Sequence, residues 1–261
     1  MIITSRKNEI VLKYKKLIAD KKERLRFAAF VCEGFKLSED ALSCGVMPLS
    51  AVFTDFAVKK YADFYKKVAK LCKLTVISND LGEYISDTTT PQGVFLEFHM
   101  REKPEISGKL IADAKKLLLL DHIQDSGNMG TIIRTAEALG MDAVIFTPDC
   151  PDIYSGKVLR GSMGSVFRLN LIPADLVSAV KTLKENGFSV HSCVLDDDAK
   201  RPDEINFNRK SAIIIGNEAR GVSPQITDLA DEKIYIPIEK IQSLNAAVAA
   251  AILMWEFKRG S

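Results

Sequence analysis

The sequence predicts an α/β protein of two modules, and three observations predict it. Short apolar runs alternate with helical patterns over residues 27–98, and a second such series runs from residue 117 to a closing helix pattern. Between them HMREKPEISGKLIADA, residues 99–114, loses hydrophobic period and gains charge, Pro and Gly, which marks a junction. Continuous runs such as LLLL and AIII fit a parallel sheet covered on both faces. The expected organisation is 1–98, a linker over 99–114, and 115–261.

In the first module Ile10, Tyr14 and Leu17 recur at i, i+4 and i+7, which predicts an amphipathic helix. FAAFVC reads as a strand, Phe35–Ser43 as a helix, SAVFTD as a strand and Ala57–Leu71 as a helix. LTVIS is a strand, Asp80–Ile85 a short helix and GVFLEF a strand. In the second module LLLLDHI opens with a strand, followed by a helix from about Gly130 to Leu139 and the strand DAVIFT. SVFRLNLI is a strand, Asp175–Asn186 a helix, and FSVHSCVL, SAIIIG and KIYIPI are strands. Leu244–Lys258 closes the chain as a helix, with Ser243 read as its N-cap and Asn245 in its first turn.

Composition narrows the class. The chain has 261 residues, is 47% hydrophobic and 27% charged, and carries 36 Lys+Arg against 34 Asp+Glu, which excludes a disordered or fibrous chain. The apolar run Ala246–Trp255 is too short to span a bilayer, which needs about 20 residues, and the N-terminus lacks an apolar signal core. A cytoplasmic protein without a membrane partner is expected. Five cysteines without a C-x-x-C pair and three isolated histidines give no support to a metal site. Residues 1–98 hold 16 basic and 12 acidic side chains, and the first 26 alone hold nine and three. A cationic front end suits a polyanion such as RNA, although a solvated surface helix carries the same pattern.

In open α/β sheets ligands bind beyond the C-terminal strand ends, so three loops are candidates. DHIQDSGNMGTIIRTA carries Asn128 between two glycines and Arg134 six residues on, among apolar neighbours. Arg134 reads either as a helix-surface ion pair or as a guanidinium holding a phosphate or a developing oxyanion. YSGKVLRGSMGSVFRL places Lys157 and Arg160 about one turn apart, as phosphate contacts or as solvated cations. IIIGNEARGVSP has Gly216 ending a buried strand, Glu218 in a glycine-bounded loop, and Ser223–Pro224 as N-cap and first helical residue. Glu218 is a site carboxylate or a solvated loop charge. None of these is G-x-G-x-x-G or a P-loop, which argues against a nicotinamide oxidoreductase.

Taken in order, NMGTIIRTA, GSMGSVFRL and IIIGNEARGVS with IPIEKIQSLNAAVAAAI resemble the motifs of the SpoU (TrmH) family of RNA 2′-O-ribose methyltransferases, within the SPOUT superfamily. FVCEGFKLSEDAL and TTTPQGVFLEF resemble the substrate-binding domain that often precedes that catalytic domain, an α/β sandwich similar to ribosomal-protein-like RNA binders. The resemblance implies a mostly parallel SPOUT domain with a deep trefoil knot, S-adenosyl-L-methionine as cofactor, and a homodimer. It implies that Gly216, Ile236 and Leu244 line the cofactor site, and that Asn128, Arg134, Glu218, Ser243 and Asn245 are the active-site residues. Arg134 would stabilise and position the attacking hydroxyl, with an RNA phosphate assisting proton loss. Glu218 and Asn128 would orient Arg134 or the ribose, and Ser243 and Asn245 would shape the junction of cofactor and substrate. Lys157 and Arg160 remain candidates for substrate phosphates. Many relatives have Pro where this chain has Ser126, so loop stiffness differs, but no reactive group is lost.

The leading expectation is methylation of a ribose in rRNA. The alternatives are a tRNA ribose methyltransferase and a noncatalytic RNA-binding ribosome-assembly factor with the same fold. An extra domain that reads RNA shape favours a folded rRNA element.

Overall fold

The computed structural model describes residues 2–102, 104–106, 108–196, 198–207, 210–240 and 243–260. In chain order the elements are β1 (Ile2–Ile3), α1 (Glu9–Ala19), α2 (Lys21–Phe27), β2 (Ala29–Glu33), α3 (Phe35–Ser43), β3 (Pro48–Thr54), α4 (Asp55–Lys60), α5 (Ala62–Ala69), β4 (Lys73–Ile77), α6 (Asn79–Ile85) and β5 (Val94–His99). There follow α7 (Gly108–Asp113), β6 (Lys116–Leu120), α8 (Ser126–Leu139), β7 (Ala143–Phe146), α9 (Gly156–Ser162), β8 (Asn170–Pro173), α10 (Leu176–Glu185), β9 (Ser189–Cys193), β10 (Ser211–Ile215), α11 (Pro224–Thr227), β11 (Glu232–Ile234) and α12 (Ala246–Arg259). The chain forms two compact units, one of residues 1–102 with 152–167, the other of 103–151 with 168–261. Residues 152–167, which sequence order puts in the second module, therefore pack with the first.

The first unit has a five-stranded mixed sheet in the order β1-β4-β3-β5-β2. The buried stripe of α1 is Val11, Tyr14 and Leu17, with Ile10 at its margin, and it packs on Val31, Val52 and Phe95 of the sheet. The expected helix over 57–71 is two helices broken at Tyr61, whose backbone leaves the helical region. The break lets Tyr61 stack on Phe35 with ring centroids 4.8 Å apart. Tyr154 from the 152–167 segment stacks on Phe30 at 4.4 Å, and Asp152 accepts from Nε of the buried Arg24 at 2.7 Å.

The second unit is a six-stranded sheet in the order β11-β9-β10-β6-β7-β8, with every pairing parallel. The apolar runs of β6 and β10 lie side by side in register from Ser211↔Lys116 to Ile215↔Leu120, and from Leu117 and Ala212 onward these residues are fully buried or nearly so. The chain leaves β6 toward β7 and β8, then returns to place β10 on β6's other side. The C-terminal ends of β6 and β10 thus form the topological switch point where α/β sheets bind ligands.

Several expectations at element ends need correction. SVFRLNLI is a single 3-10 turn over Ser165–Phe167 followed by the short β8, and only its second half joins the sheet. KIYIPI contributes only the end of the three-residue β11. Part of the 99–114 linker is the helix α7, whose Ile111 is buried in the second unit's core. No helix among the described residues is long and apolar enough to cross a membrane.

Candidate active site

The helix after β6 begins four residues earlier than its hydrophobic period suggests. Asp125 is the N-cap, and its carboxylate accepts the backbone N–H of Asn128 at 2.9 Å. A cap of this kind satisfies one of the orphan donors of a helix start. Asn128 consequently lies in the first turn of α8 rather than in a loop. The donors just before the cap go to Glu218: its carboxylate accepts from the backbone N–H groups of Gln124 at 3.1 Å and Asp125 at 3.3 Å. An anion is favoured at this positive end of the helix.

Asn128 donates from Nδ2 to Oε1 of Glu218 at 2.9 Å, and Asn245 donates from Nδ2 to Oδ1 of Asn128 at 2.9 Å. Asn245, not Ser243, is the N-cap of α12, with its Oδ1 accepting from the N–H groups of Ala247 and Val248. Both ends set the polarity of this relay. An ionised carboxylate only accepts and a backbone N–H only donates, so each asparagine amide has one permitted orientation. Burial pushes the Glu218 carboxyl up, but the amide of Asn128 and the surrounding backbone N–H groups outweigh it and hold Glu218 below its ordinary range.

The loop after β10 folds back on itself. Asn217 and Gly221 exchange backbone hydrogen bonds, both at 2.9 Å, and Gly221 has φ of +69°. A Cβ on Gly216 would lie 2.1 Å from the backbone of Gly221 and Val222, so only glycine fits there. Two residues that sequence reasoning did not single out anchor this loop. Asn217 is buried, accepts from the N–H groups of Ala219 and Arg220, and donates to the carbonyl of His122 at 2.8 Å. Asp121 is fully buried at the end of β6, and its Oδ2 accepts from both N–H and Oγ–H of Ser223, at 2.7 and 2.6 Å. A polar residue within two positions of the end of each buried strand was their only signal in the sequence.

A cavity of about 470 Å³ opens beside the loop. Gly216, Ile236 and Leu244 line it, as do Glu218 and Ser243, so these five candidates converge on one space. Asn128 and Asn245 join them through the Glu218 relay. Arg134 stands apart from that relay. It is exposed on α8, six residues and one and two-thirds turns beyond Asn128, and it has no hydrogen bond or ion pair among the described residues. Glu218 and Asn128 therefore make no contact that orients Arg134 within this chain. Lys157 and Arg160 lie on α9 in the first unit, where Arg160 Nη2 pairs with Oδ1 of Asp87 at 2.9 Å. Among the described residues no group of three or more His, Cys, Asp or Glu side chains is placed to hold a metal.

A parallel sheet in which β9 and β10 end at a small-molecule cavity, while β6 leads into the helix that carries the polar relay, defines an α/β ligand-binding domain of the enzyme type. Comparison with known proteins narrows this. Residues 115–255 match the SpoU rRNA Methylase family and residues 8–96 match the MRM3-like substrate binding domain. The chain belongs to the SpoU rRNA methylase family. It is 35% identical over 257 residues to the 23S rRNA (guanosine(2553)-2′-O)-methyltransferase RlmP of Bacillus subtilis, covering 98% of each chain. It is 27% identical to the human mitochondrial rRNA methyltransferase 3, covering 87% of this chain and 66% of that one. The AdoMet-bound rRNA methyltransferase from Sinorhizobium meliloti superposes with a TM-score of 0.86 at 28% identity, over 99% of this chain and 97% of that one.

Proposed function

We propose that this protein transfers a methyl group from S-adenosylmethionine to a ribose 2′-hydroxyl of rRNA. In this reading residues 1–98 hold the RNA, 99–114 link, and 115–261 carry the chemistry along the trefoil-knotted path typical of SPOUT domains. The observation that carries the reading is the Glu218–Asn128–Asn245 relay beside the cavity lined by Gly216, Ile236 and Leu244.

The cavity suits the cofactor. Its volume of about 470 Å³ lies in the range of small-molecule sites. Ile236, Ile238 and Leu244 offer apolar walls to an adenine ring, and the backbone of 216–221 offers polar groups. When bound, the cofactor supplies an electrophilic methyl group on a sulfonium.

What this chain's residues do follows from their chemistry. A ribose hydroxyl is a weak nucleophile and needs its developing negative charge stabilised. A guanidinium is cationic at every ordinary pH, and Arg134 has no hydrogen bond or ion pair among the described residues, so its fork of donors can hold the ribose oxygen or a flanking phosphate. Glu218 is held ionised by its donors, which makes it a weaker base than an ordinary carboxylate. Its role is to hold the start of α8 and Asn128 in place, while an RNA phosphate assists proton loss. Ser243 lines the cavity where cofactor and ribose meet, and Asn245 couples that rim to α8. An Arg134 that no described residue of its own chain orients also fits a homodimer in which a second copy helps to place it.

Incubation with S-adenosylmethionine carrying a tritiated methyl group and a 23S rRNA transcript, followed by mapping of ribose methylation, tests the reading. Label at a single 2′-oxygen supports it. Cofactor binding without transfer to any rRNA or tRNA supports a noncatalytic assembly factor instead.

A further inference from the structure

The outward face of α1 takes no part in the chemistry above. With Val11, Tyr14 and Leu17 buried, the helical period turns Leu12 and Lys16 outward and leaves Lys13 and Lys15 on the two flanks. On one flank Lys15 Nζ lies 3.3 Å and Arg6 Cζ 4.6 Å from the centroid of the Tyr84 ring. On the other flank Lys13 Nζ lies 5.6 Å and Arg26 Cζ 5.3 Å from the centroid of the Phe27 ring. Two aromatic rings, each with two cations, bracket one helix.

Apolar surface is exposed among these charges: Leu12 is 40%, Phe27 41% and Leu25 52% exposed. Opposing acids are few. Lys13 pairs with Glu97 and Arg26 with Glu23. Arg6, Lys7, Lys15, Lys16, Lys21 and Lys22 have no ion pair among the described residues.

We propose that the face formed by α1, the end of α2 and Tyr84 docks the RNA substrate, with its lysines and arginines on phosphates and Phe27 against an unpaired base or sugar. The proposal rests on the reading that the substrate is RNA. A set of cations, most of them without an ion pair among the described residues, beside two aromatic rings combines the two interactions that hold single-stranded and looped RNA, counterion release and stacking. A membrane surface fits less well. A helix that lies on a bilayer inserts its apolar stripe, and the stripe of α1 is already buried in the protein.

The test is the triple variant Arg6→Ala/Lys15→Ala/Lys16→Ala in the full chain, with a 23S rRNA transcript titrated over a salt series. Affinity at low salt should fall about tenfold or more, and the log–log salt slope should become shallower by about 2, from roughly 0.7–0.9 per lost phosphate contact. In turnover the loss should fall on KM for RNA, with S-adenosylmethionine affinity by calorimetry unmoved. A control triple, Lys59→Ala/Lys60→Ala/Lys66→Ala, removes equal charge from α4 and α5 and should change RNA affinity less than twofold. Equal losses in both triples, or an unchanged slope in the first, overturn the proposal. Loss of binding to phosphatidylserine vesicles with RNA binding intact replaces it with a membrane face. If the wild type binds RNA through α1 yet transfers no methyl group, the docking face stands and the assigned function fails.

Discussion

Asn245 donates from Nδ2 to Oδ1 of Asn128 at 2.9 Å across 117 residues of chain. One hydrogen bond thereby joins the N-cap of the last helix to the first turn of α8, and Asn128 passes the connection to Glu218. Each link has a distinct expected consequence when broken.

Asn128→Asp replaces a donor with a carboxylate facing the Glu218 carboxylate. Like charges at hydrogen-bond distance disfavour each other, so the start of α8 should be displaced. Methyl transfer is expected to fall by about 10²-fold, the scale of losing one positioned polar group. Asn128→Ala should lose less, because it removes the donor without adding repulsion. Single-turnover rates with saturating cofactor check the order.

Asn245→Ala removes the cap of α12 and the link to Asn128 together. A lost side-chain cap costs about 1 kcal/mol, which for a domain of this size lowers Tm by about 2–4 °C. Asn245→Ser keeps a capping oxygen but is too short to reach Asn128, so it should restore Tm without restoring turnover. Thermal melts and turnover measured on both variants separate the two roles.

Arg134→Ala should leave stability within about 0.5 kcal/mol of the wild type, because the side chain is exposed and has no partner among the described residues. Methyl transfer should fall by about 10²–10³-fold if the guanidinium stabilises the oxyanion, while calorimetric binding of S-adenosylmethionine persists. Full activity in this variant would remove Arg134 from the mechanism.

Glu218 makes a pH prediction. Its folded-state pKa is depressed, so its contribution to stability is fully present above the unfolded value of about 4.3. That contribution is lost as pH falls through the lower folded value. The urea midpoint of the wild type should therefore drop below about pH 4.5 more steeply than that of Glu218→Gln, and the two should run parallel above about pH 6.

Gly216→Ala tests the folded-back loop. The added Cβ meets the backbone of Gly221 and Val222 at 2.1 Å, and backbone cannot yield as a flexible side chain does. A destabilisation of about 1–3 kcal/mol is expected from such overpacking, together with loss of S-adenosylmethionine binding. Unaltered calorimetry would show that the loop opens without cost.

The sequence alone determined the alternation of elements, the parallel second sheet and the loops that matter, because short, fully apolar runs such as LLLL and AIII bounded by turn residues fit buried strands, and ligands gather at their ends. Its loops marked Gly216, Glu218 and Ser243, and the resemblance to the SpoU motifs implied Ile236 and Leu244; all five line one cavity. Element ends were less legible. The start of α8 depends on Asp125 and Glu218 satisfying backbone donors, and the second of these comes from 93 residues away. Only the tertiary structure decided that Asn245 rather than Ser243 caps α12, that Asp121 and Asn217 anchor the loop, and that residues 152–167 pack with the first unit. The physical reason is common to all three. Hydrophobic period reports which face of an element is buried, a local property. A polar group's partner is whatever donor or acceptor the fold brings within about 3 Å, and local sequence does not encode which one that is.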